Sequence, residues 1–175
     1  ELRLRDEGGG FIEGVDVVGE LEVRGPNVCA GYFHRPKETA SALGRDGFFR
    51  TGDLARRDGD GYFGLVGRSG DLIITGGENV YPVEVERELD ALAGVAESAV
   101  IGVPHADFGE VVAAVVVRSS SSPKAGEDEL RSELRGVLAP YKVPKRVFFV
   151  DSLPRNAMGK VQKAALRESF SGLVD

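Results

Sequence analysis

The sequence has no tryptophan and a single cysteine, Cys29, so no disulfide can form within the chain. It has neither an apolar run of the roughly 18 residues that a membrane span needs nor a recognisable signal peptide. Basic residues are not in excess, because 22 lysines and arginines face 28 acidic residues, for a net charge of −6. We therefore expect a cytoplasmic globular protein, and the acidic balance argues against a nucleic-acid-binding surface.

Glycine is dense from Gly8 to Gly77 and sparse afterwards. The glycine-rich part predicts short strands and turns, with one short helix at 36–43. Two Asp-Gly dipeptides at 58–61 separate alternating apolar and polar runs, which is a strong β-hairpin signal. The chain opens at Glu1 in the middle of an alternating pattern, so we expect it to be a fragment of a longer protein.

Beyond residue 71 the pattern changes to apolar runs that alternate with amphipathic stretches. We predict strands at 72–75, 95–103, 111–117 and 146–150, helices at 82–92, 128–138 and 161–170, and a polar loop at 119–126. This alternation is typical of a small α+β domain whose helices cover one sheet. The predicted domains are residues 1–69 and 70–175.

Asp53 and Arg68 are the first candidates for a binding site. Asp53 follows Thr51-Gly52 at the start of a predicted strand, and a carboxylate can accept hydrogen bonds from both hydroxyls of a vicinal diol such as ribose. If the hairpin folds back, Arg68 returns near Asp53 and could join a diol or a phosphate. The alternatives are a turn carboxylate that caps nearby amides and a surface ion pair.

Two glycine-containing turns supply the other candidates. Gly76 and Gly77 follow a β-rich run, where they allow either a positive-φ turn or close approach of a ligand. Lys160 follows a glycine in the segment 154–161, which fails the phosphate-loop pattern because Val161 replaces the required Ser or Thr. Lys160 is thus either presented to an anion or an ordinary solvated lysine. His34 and His105 stand alone, so we expect no metal site built by the protein.

In this order, the segments resemble the adenylate-forming family, which includes acyl-CoA synthetases, peptide-synthetase adenylation domains and luciferases. The residues that carry the resemblance are 31–33, 48–53, 67–71, 76–86 and 154–160. Within the family, 97–110 and 153–163 resemble the malonate–CoA ligases. The resemblance implies an α+β fold in which the small β-rich, barrel-like end of a large N-terminal domain precedes a compact, mobile C-terminal domain.

The resemblance also implies a role for each candidate. The nucleotide-binding residues would be Thr51, Asp53, Arg68 and Lys160, and Lys160 would also be the catalytic residue. Gly70 would be the hinge. The passage for coenzyme A would be formed by Gly76, Gly77 and Glu78. Implied cofactors are ATP, Mg²⁺ and coenzyme A, the Mg²⁺ arriving with the nucleotide. The expected partners are a small carboxylic acid, ATP, coenzyme A and the missing N-terminal domain of the same protein, with no nucleic acid and no membrane. Relatives commonly carry Asp or Lys where this chain has Gly70.

The implied enzyme is an acid–thiol ligase, with malonate or methylmalonate as the expected acid. The fragment alone is expected to be inactive, because the acyl pocket and a phosphate-gripping loop would lie in the missing part. Two alternatives stay open: a peptide-synthetase-type adenylation domain, and a separated binding or regulatory module without catalysis. Basic residues at 142, 145 and 146 are either contacts to coenzyme A phosphates or a solvated edge.

Overall fold

The computed structural model describes residues 1–120 and 126–173. The chain divides into two compact units, called here the first unit (Glu1–Gly70) and the second unit (Asp71–Asp175). The predicted boundary lies one residue earlier, between residues 69 and 70. Most of the polar loop expected at 119–126 lies outside the described residues.

The first unit is built on a five-stranded antiparallel sheet in the order β2-β1-β3-β4-β5. Its elements are β1 (Leu2–Arg5), β2 (Phe11–Ile12), β3 (Val18–Val23), α1 (Pro36–Ala42), β4 (Phe49–Arg57) and β5 (Phe63–Arg68). The predicted short helix and the β4–β5 hairpin are both confirmed. Leu4, Leu21 and Ala55 form the buried core of this sheet.

A buried carboxylate ties three strands of the first unit together. Glu22 on β3 is 1% exposed. Its oxygens lie 2.6 Å from Arg3 Nε, 2.7 Å from Arg5 Nε and 3.5 Å from Arg50 Nε. Because β1, β3 and β4 each contribute to this cluster, the charge network holds the centre of the sheet.

The second unit contains a five-stranded sheet covered by helices. Its elements are β6 (Ile73–Thr75), β7 (Glu78–Val80), α2 (Pro82–Asp90), β8 (Val95–His105), β9 (Gly109–Arg118), α3 (Glu127–Leu134), β10 (Arg146–Val150) and α4 (Lys163–Phe170). Strand β9 pairs antiparallel with β8 and β6 and parallel with β10. The α+β class is confirmed, with a mixed sheet in the second unit.

Strand β9 is buried on both faces, which explains its uninterrupted apolar sequence. Val112, Ala114 and Val116 pack in one core cluster, with Leu89 of α2 and Leu130 of α3. The alternate residues Val111, Ala113 and Val115 pack in a second cluster, with Leu166 of α4. The helices therefore cover both faces of the sheet. No helix within the described residues is long and apolar enough to span a membrane.

Helix ends account for most differences from the predicted elements. Helix α3 ends at Leu134, four residues before the predicted end, because the chain turns at Gly136, whose N–H donates to Glu133 C=O. Leu138 nevertheless stays buried, so the apolar pattern continued beyond the helix. Helix α4 begins at Lys163, two residues after the predicted start, because Val161 forms an isolated β-bridge with Arg155.

Candidate functional site

Asp53 and Arg68 lie directly opposite each other on the β4–β5 hairpin. Arg68 Nε is 2.9 Å from Asp53 Oδ1. The prediction that the hairpin returns Arg68 to Asp53 is confirmed. The predicted place of Asp53 at a strand start is wrong, because β4 begins four residues earlier, at Phe49.

The backbone around Asp53 is fixed by hydroxyl groups. Thr51 Oγ1 donates to Leu21 C=O at 2.7 Å and accepts the Asp53 N–H at 3.0 Å. Gly52 has φ +71°, and its carbonyl accepts a hydrogen bond from Ser69 Oγ at 3.2 Å. The result is an oriented carboxylate, with 26% of its side chain exposed, beside a guanidinium that is 59% exposed. Such a pair offers acceptors for a diol and donors for a nearby anion.

Lys160 lies in a closed loop of the second unit. Pro154 C=O accepts the Gln162 N–H at 2.8 Å and closes the loop. Inside it, Asn156 Oδ1 accepts the N–H groups of Met158 and Lys160, both at 3.0 Å. The Asn156 N–H donates to Lys160 C=O at 2.9 Å. The Lys160 backbone is therefore held at both its N–H and its C=O, while its side chain is exposed.

Gly76 and Gly77 are the two central residues of the β6–β7 hairpin, because Thr75 pairs with Glu78. Their φ values of +58° and +87° are those of a type I′ turn, which favours glycine. The predicted positive-φ turn is confirmed. Gly76 N–H donates to Phe108 C=O at 3.0 Å, and a Cβ on Gly76 would lie 3.2 Å from the Phe108 ring.

Phe108 was not predicted as a site residue, yet it forms one wall of a cavity beside this hairpin. The cavity measures about 380 Å³ and is lined mainly by apolar groups, with Glu78, Tyr141 and Lys145 among its lining residues. Lys145 Nζ is 4.4 Å from the centre of the Phe108 ring, a cation–π distance. No sequence pattern indicates this contact, because Phe108 and Lys145 are distant in the chain.

The basic residues at 142, 145 and 146 are largely engaged. Lys142 Nζ lies 2.7 and 2.8 Å from the two carboxylate oxygens of Glu84, and Arg146 Nε lies 3.3 Å from Glu127. The charges of Lys142 and Arg146 are thus compensated by carboxylates of the same unit, so neither residue is a simply solvated cation. Lys145, on the cavity, is the member best placed to meet a ligand.

Gly70 lies between two residues that are each held within their own unit. Ser69 Oγ donates to Gly52 C=O in the first unit, and Asp71 Oδ1 is 2.9 Å from Arg167 Nη2 on α4 in the second. A Cβ built on Gly70 would meet no heavy atom within 4 Å in the described part of the chain.

The second unit anchors its two candidate segments at opposite ends of β8. Arg155, which belongs to the Lys160 loop, forms an ion pair with Glu97 near the start of β8. Phe108, which holds the Gly76–Gly77 hairpin, follows the end of β8 at His105. Eight residues of extended strand span roughly 26 Å. The two segments therefore face different regions of space.

Within residues 1–120 and 126–173, no group of three or more His, Cys, Asp or Glu residues lies so as to hold a metal ion. Cys29 is exposed and is not paired.

Residues 84–160 match the family model described as the AMP-binding enzyme C-terminal domain. The chain is 54% identical over 152 residues to a feruloyl-CoA synthase of an Amycolatopsis species, a match that covers 87% of this chain and 30% of the relative. It is 44% identical over 168 residues to a long-chain-fatty-acid–CoA ligase of Yersinia pestis, covering 96% of this chain and 29% of that relative.

Among solved structures, the chain is similar to the crystal structure of ATP-bound MatB from Rhodopseudomonas palustris. The TM-score is 0.91 at 51% sequence identity, and the match covers 100% of this chain and 35% of that one. The chain thus spans about 30% of the length of the curated relatives it matches.

Proposed function

We propose that this chain, a member of the adenylate-forming, acyl-CoA synthetase family, acts as the C-terminal part of an ATP-dependent carboxylate–CoA ligase. The reaction has two steps. A carboxylate first attacks the α-phosphorus of ATP to give an acyl-adenylate and pyrophosphate. The thiol of coenzyme A then attacks the acyl carbon, forms the thioester and releases AMP.

The observation that carries this proposal is the separation of two exposed segments along β8. The Lys160 loop and the Gly76–Gly77 hairpin are anchored at opposite ends of one strand, roughly 26 Å apart. One rigid unit cannot present both segments to a single reaction centre at the same time. A two-step ligase needs such a pair of faces, one for each half-reaction.

In the first unit, Asp53 would accept hydrogen bonds from the ribose hydroxyls. Thr51 fixes the backbone from which Asp53 projects, and Arg68 supplies a cation beside the same diol. Since the adenylate keeps its ribose in both half-reactions, this contact would serve both.

In the adenylation step, negative charge grows on the phosphoryl oxygens and on the departing pyrophosphate. The Lys160 ammonium would stabilise that charge, which is largest in the transition state. Its side chain is exposed and forms no hydrogen bond or ion pair within residues 1–120 and 126–173, so it stays available for an anion. Mg²⁺ would be bound with the nucleotide phosphates, because the described residues offer no ligand cluster of their own.

In the thioester step, the Gly76–Gly77 hairpin and Glu78 would line the approach of the pantetheine thiol. Gly77 leaves open space around its backbone, since a Cβ there would meet no atom within 4 Å in the part of the chain that the structure describes. Rotation of the second unit about Gly70 would exchange this face for the Lys160 face. Acting on ATP and coenzyme A, such a ligase would work in the cytoplasm.

For the acid we propose malonate or methylmalonate. The resemblance of 97–110 and 153–163 to malonate–CoA ligases supports this choice, as does the similarity to MatB at 51% identity. The feruloyl-CoA synthase, at 54% identity, makes an aryl acid the competing substrate. Pyrophosphate release by the full-length protein with malonate, methylmalonate, acetate and ferulate tests the choice.

The roles are tested by assaying the two half-reactions of the full-length protein separately. Lys160→Ala should slow adenylation about 100-fold to 1,000-fold and leave thioester formation from supplied acyl-adenylate unchanged. Asp53→Ala should slow both steps. Lys37→Ala, at an exposed lysine of α1, is the matched control and should change neither. Wild-type adenylation by Lys160→Ala would refute the proposal.

A peptide-synthetase-type adenylation domain would share the first half-reaction. It would transfer the acyl group to a carrier protein instead of coenzyme A, so product analysis with both acceptors separates the two. A non-catalytic module would bind ATP without releasing pyrophosphate in the full-length protein. The isolated 175 residues are expected to release no pyrophosphate. Measurable release would contradict the proposal that adenylation also needs the missing N-terminal domain.

A further inference from the structure

Arg155 occupies an unusual position beside Lys160, because it reaches both the loop and the sheet. Its Nη1 donates to Gly159 C=O at 2.7 Å. Its Nη2 forms an ion pair with Glu97 on β8. One planar guanidinium thus connects the peptide bond that precedes Lys160 to a strand of the buried sheet.

The Gly159–Lys160 peptide plane is held at both of its polar groups by side chains. Arg155 binds its carbonyl, and Asn156 Oδ1 accepts its N–H at 3.0 Å. Gly159 has φ +78°, so the chain reverses here with little steric resistance of its own. Without the two side-chain contacts, this peptide could rotate and redirect the Lys160 side chain.

Glu97 gives the contact a rigid base. It lies on β8, where it pairs with Val117 of β9, and β9 is buried on both faces. Arg155 and Glu97 are 45% and 33% exposed, so the ion pair itself adds little to stability. The ion pair therefore affects the direction of the Lys160 side chain more than the stability of the fold.

Resting on the proposed function, we propose that Arg155, braced by Glu97, is a positioning residue that sets the direction in which Lys160 presents its ammonium during adenylation. A shift of about 1 Å in a charged group can change a rate about 100-fold. Because the ammonium acts on transition-state charge, misdirection should lower kcat and leave the KM for ATP nearly unchanged.

The test uses Arg155→Ala, Lys160→Ala and the double variant in the full-length protein, with each half-reaction assayed separately. Arg155→Ala should lower the adenylation kcat about 10-fold to 100-fold and should not slow thioester formation from supplied acyl-adenylate. In the Lys160→Ala background, removal of Arg155 should cost nothing further, because its effect passes through the ammonium. Glu97→Ala should show a smaller loss of the same kind.

Arg131→Ala is the matched control. Arg131 also donates to a backbone carbonyl, that of Pro144, and lies near the carboxylate of Glu127, but it is remote in sequence from the Lys160 loop. Its adenylation rate should stay at the wild-type level. Arg155→Lys should recover part of the rate, because an ammonium keeps the charge and the donors but lacks the planar fork that fixes the two contacts in one geometry.

Three results would overturn the inference: unchanged adenylation in Arg155→Ala, an equal fall in both half-reactions, or the same loss with and without Lys160. Wild-type adenylation by Lys160→Ala is a different failure, since it removes the proposed function itself. The single Lys160 variant therefore separates the two.

Discussion

Glu22 is a single residue whose buried carboxylate connects three strands of the first unit. It is 1% exposed and is surrounded by Arg3, Arg5 and Arg50. Glu22→Gln keeps the size of the side chain and removes its charge, so the guanidinium groups lose a buried counter-ion. We expect a local destabilisation of about 3 kcal/mol.

Hydrogen exchange of the β1 and β3 amides measures this effect locally, and those amides should exchange about 100-fold faster in Glu22→Gln. Glu20→Gln is the control, because Glu20 lies on the same strand and forms no ion pair among the described residues. Equal exchange in the two variants would contradict the role assigned to Glu22.

The pH dependence of the same residue has a definite sign. Burial raises the pKa of Glu22, whereas hydrogen bonds from Arg5 and Arg3 lower it, and the net pKa lies below its ordinary value of 4.5. The stabilisation is therefore complete above pH 4.5 and is lost as the pH falls through the lowered folded value. The difference in protection between wild type and Glu22→Gln should stay constant from pH 7 to pH 5 and shrink at lower pH. Shrinkage already between pH 7 and pH 5 would count against this assignment.

At this scale, local patterns predicted only contacts that local structure creates. The hairpin signal at 58–61 was enough to bring Asp53 and Arg68 together. Asn156 is a common turn former, so its role in the Lys160 loop had a sequence signal that could have been used. The partnership of Arg155 with Glu97 had none, because 58 residues separate them and no periodicity links them.

Among the elements, two hairpin turns offer a matched comparison. Gly77 in the β6–β7 turn has φ +87°, and Gly61 in the β4–β5 turn has φ +89°. A Cβ at either position would lie more than 4 Å from every atom of residues 1–120 and 126–173 that could oppose it. Asparagine tolerates positive φ better than most residues, so both hairpins should survive a Gly→Asn change.

Gly77→Asn should slow thioester formation and spare adenylation, because its side chain would enter the proposed coenzyme A passage. Gly61→Asn should affect neither step. Separate half-reaction assays, with hydrogen exchange of both hairpins, measure this. A loss of hairpin protection in Gly77→Asn would assign the effect to backbone strain, and normal thioester formation would remove Gly77 from the passage.

The sequence predicted the type of each of these elements more accurately than the residues at which the elements end. Strand β10 matches its predicted bounds, because a short β-rich run paired with β9 leaves little freedom. Helix α3 stops at Leu134 although apolar spacing continues to Leu138, which is buried without being helical. Apolar periodicity predicts which side chains face the core, but it does not predict the turn at Gly136 that ends the helix.

At the scale of the whole molecule, Gly70 controls the proposed exchange of faces. Gly70→Pro fixes φ near −65° and removes an N–H, so it should impair thioester formation and spare adenylation. Gly70→Ala is the control, since its methyl group would meet no atom of the described residues within 4 Å and should leave both steps near the wild-type rate. Equal loss of both half-reactions in Gly70→Pro would argue against a hinge at this residue.

The contacts on either side of Gly70 also determine what such a rotation would cost. Ser69 is held to Gly52 and Asp71 to Arg167, so rotation about the φ and ψ bonds of Gly70 leaves both of these contacts intact. A reorientation of this kind would unwind the single 3-10 turn at Ser69–Asp71 and leave the strands and helices of each unit folded, so friction with the surrounding water would be the main resistance to it. Its rate should therefore fall as solvent viscosity rises and respond little to low concentrations of urea.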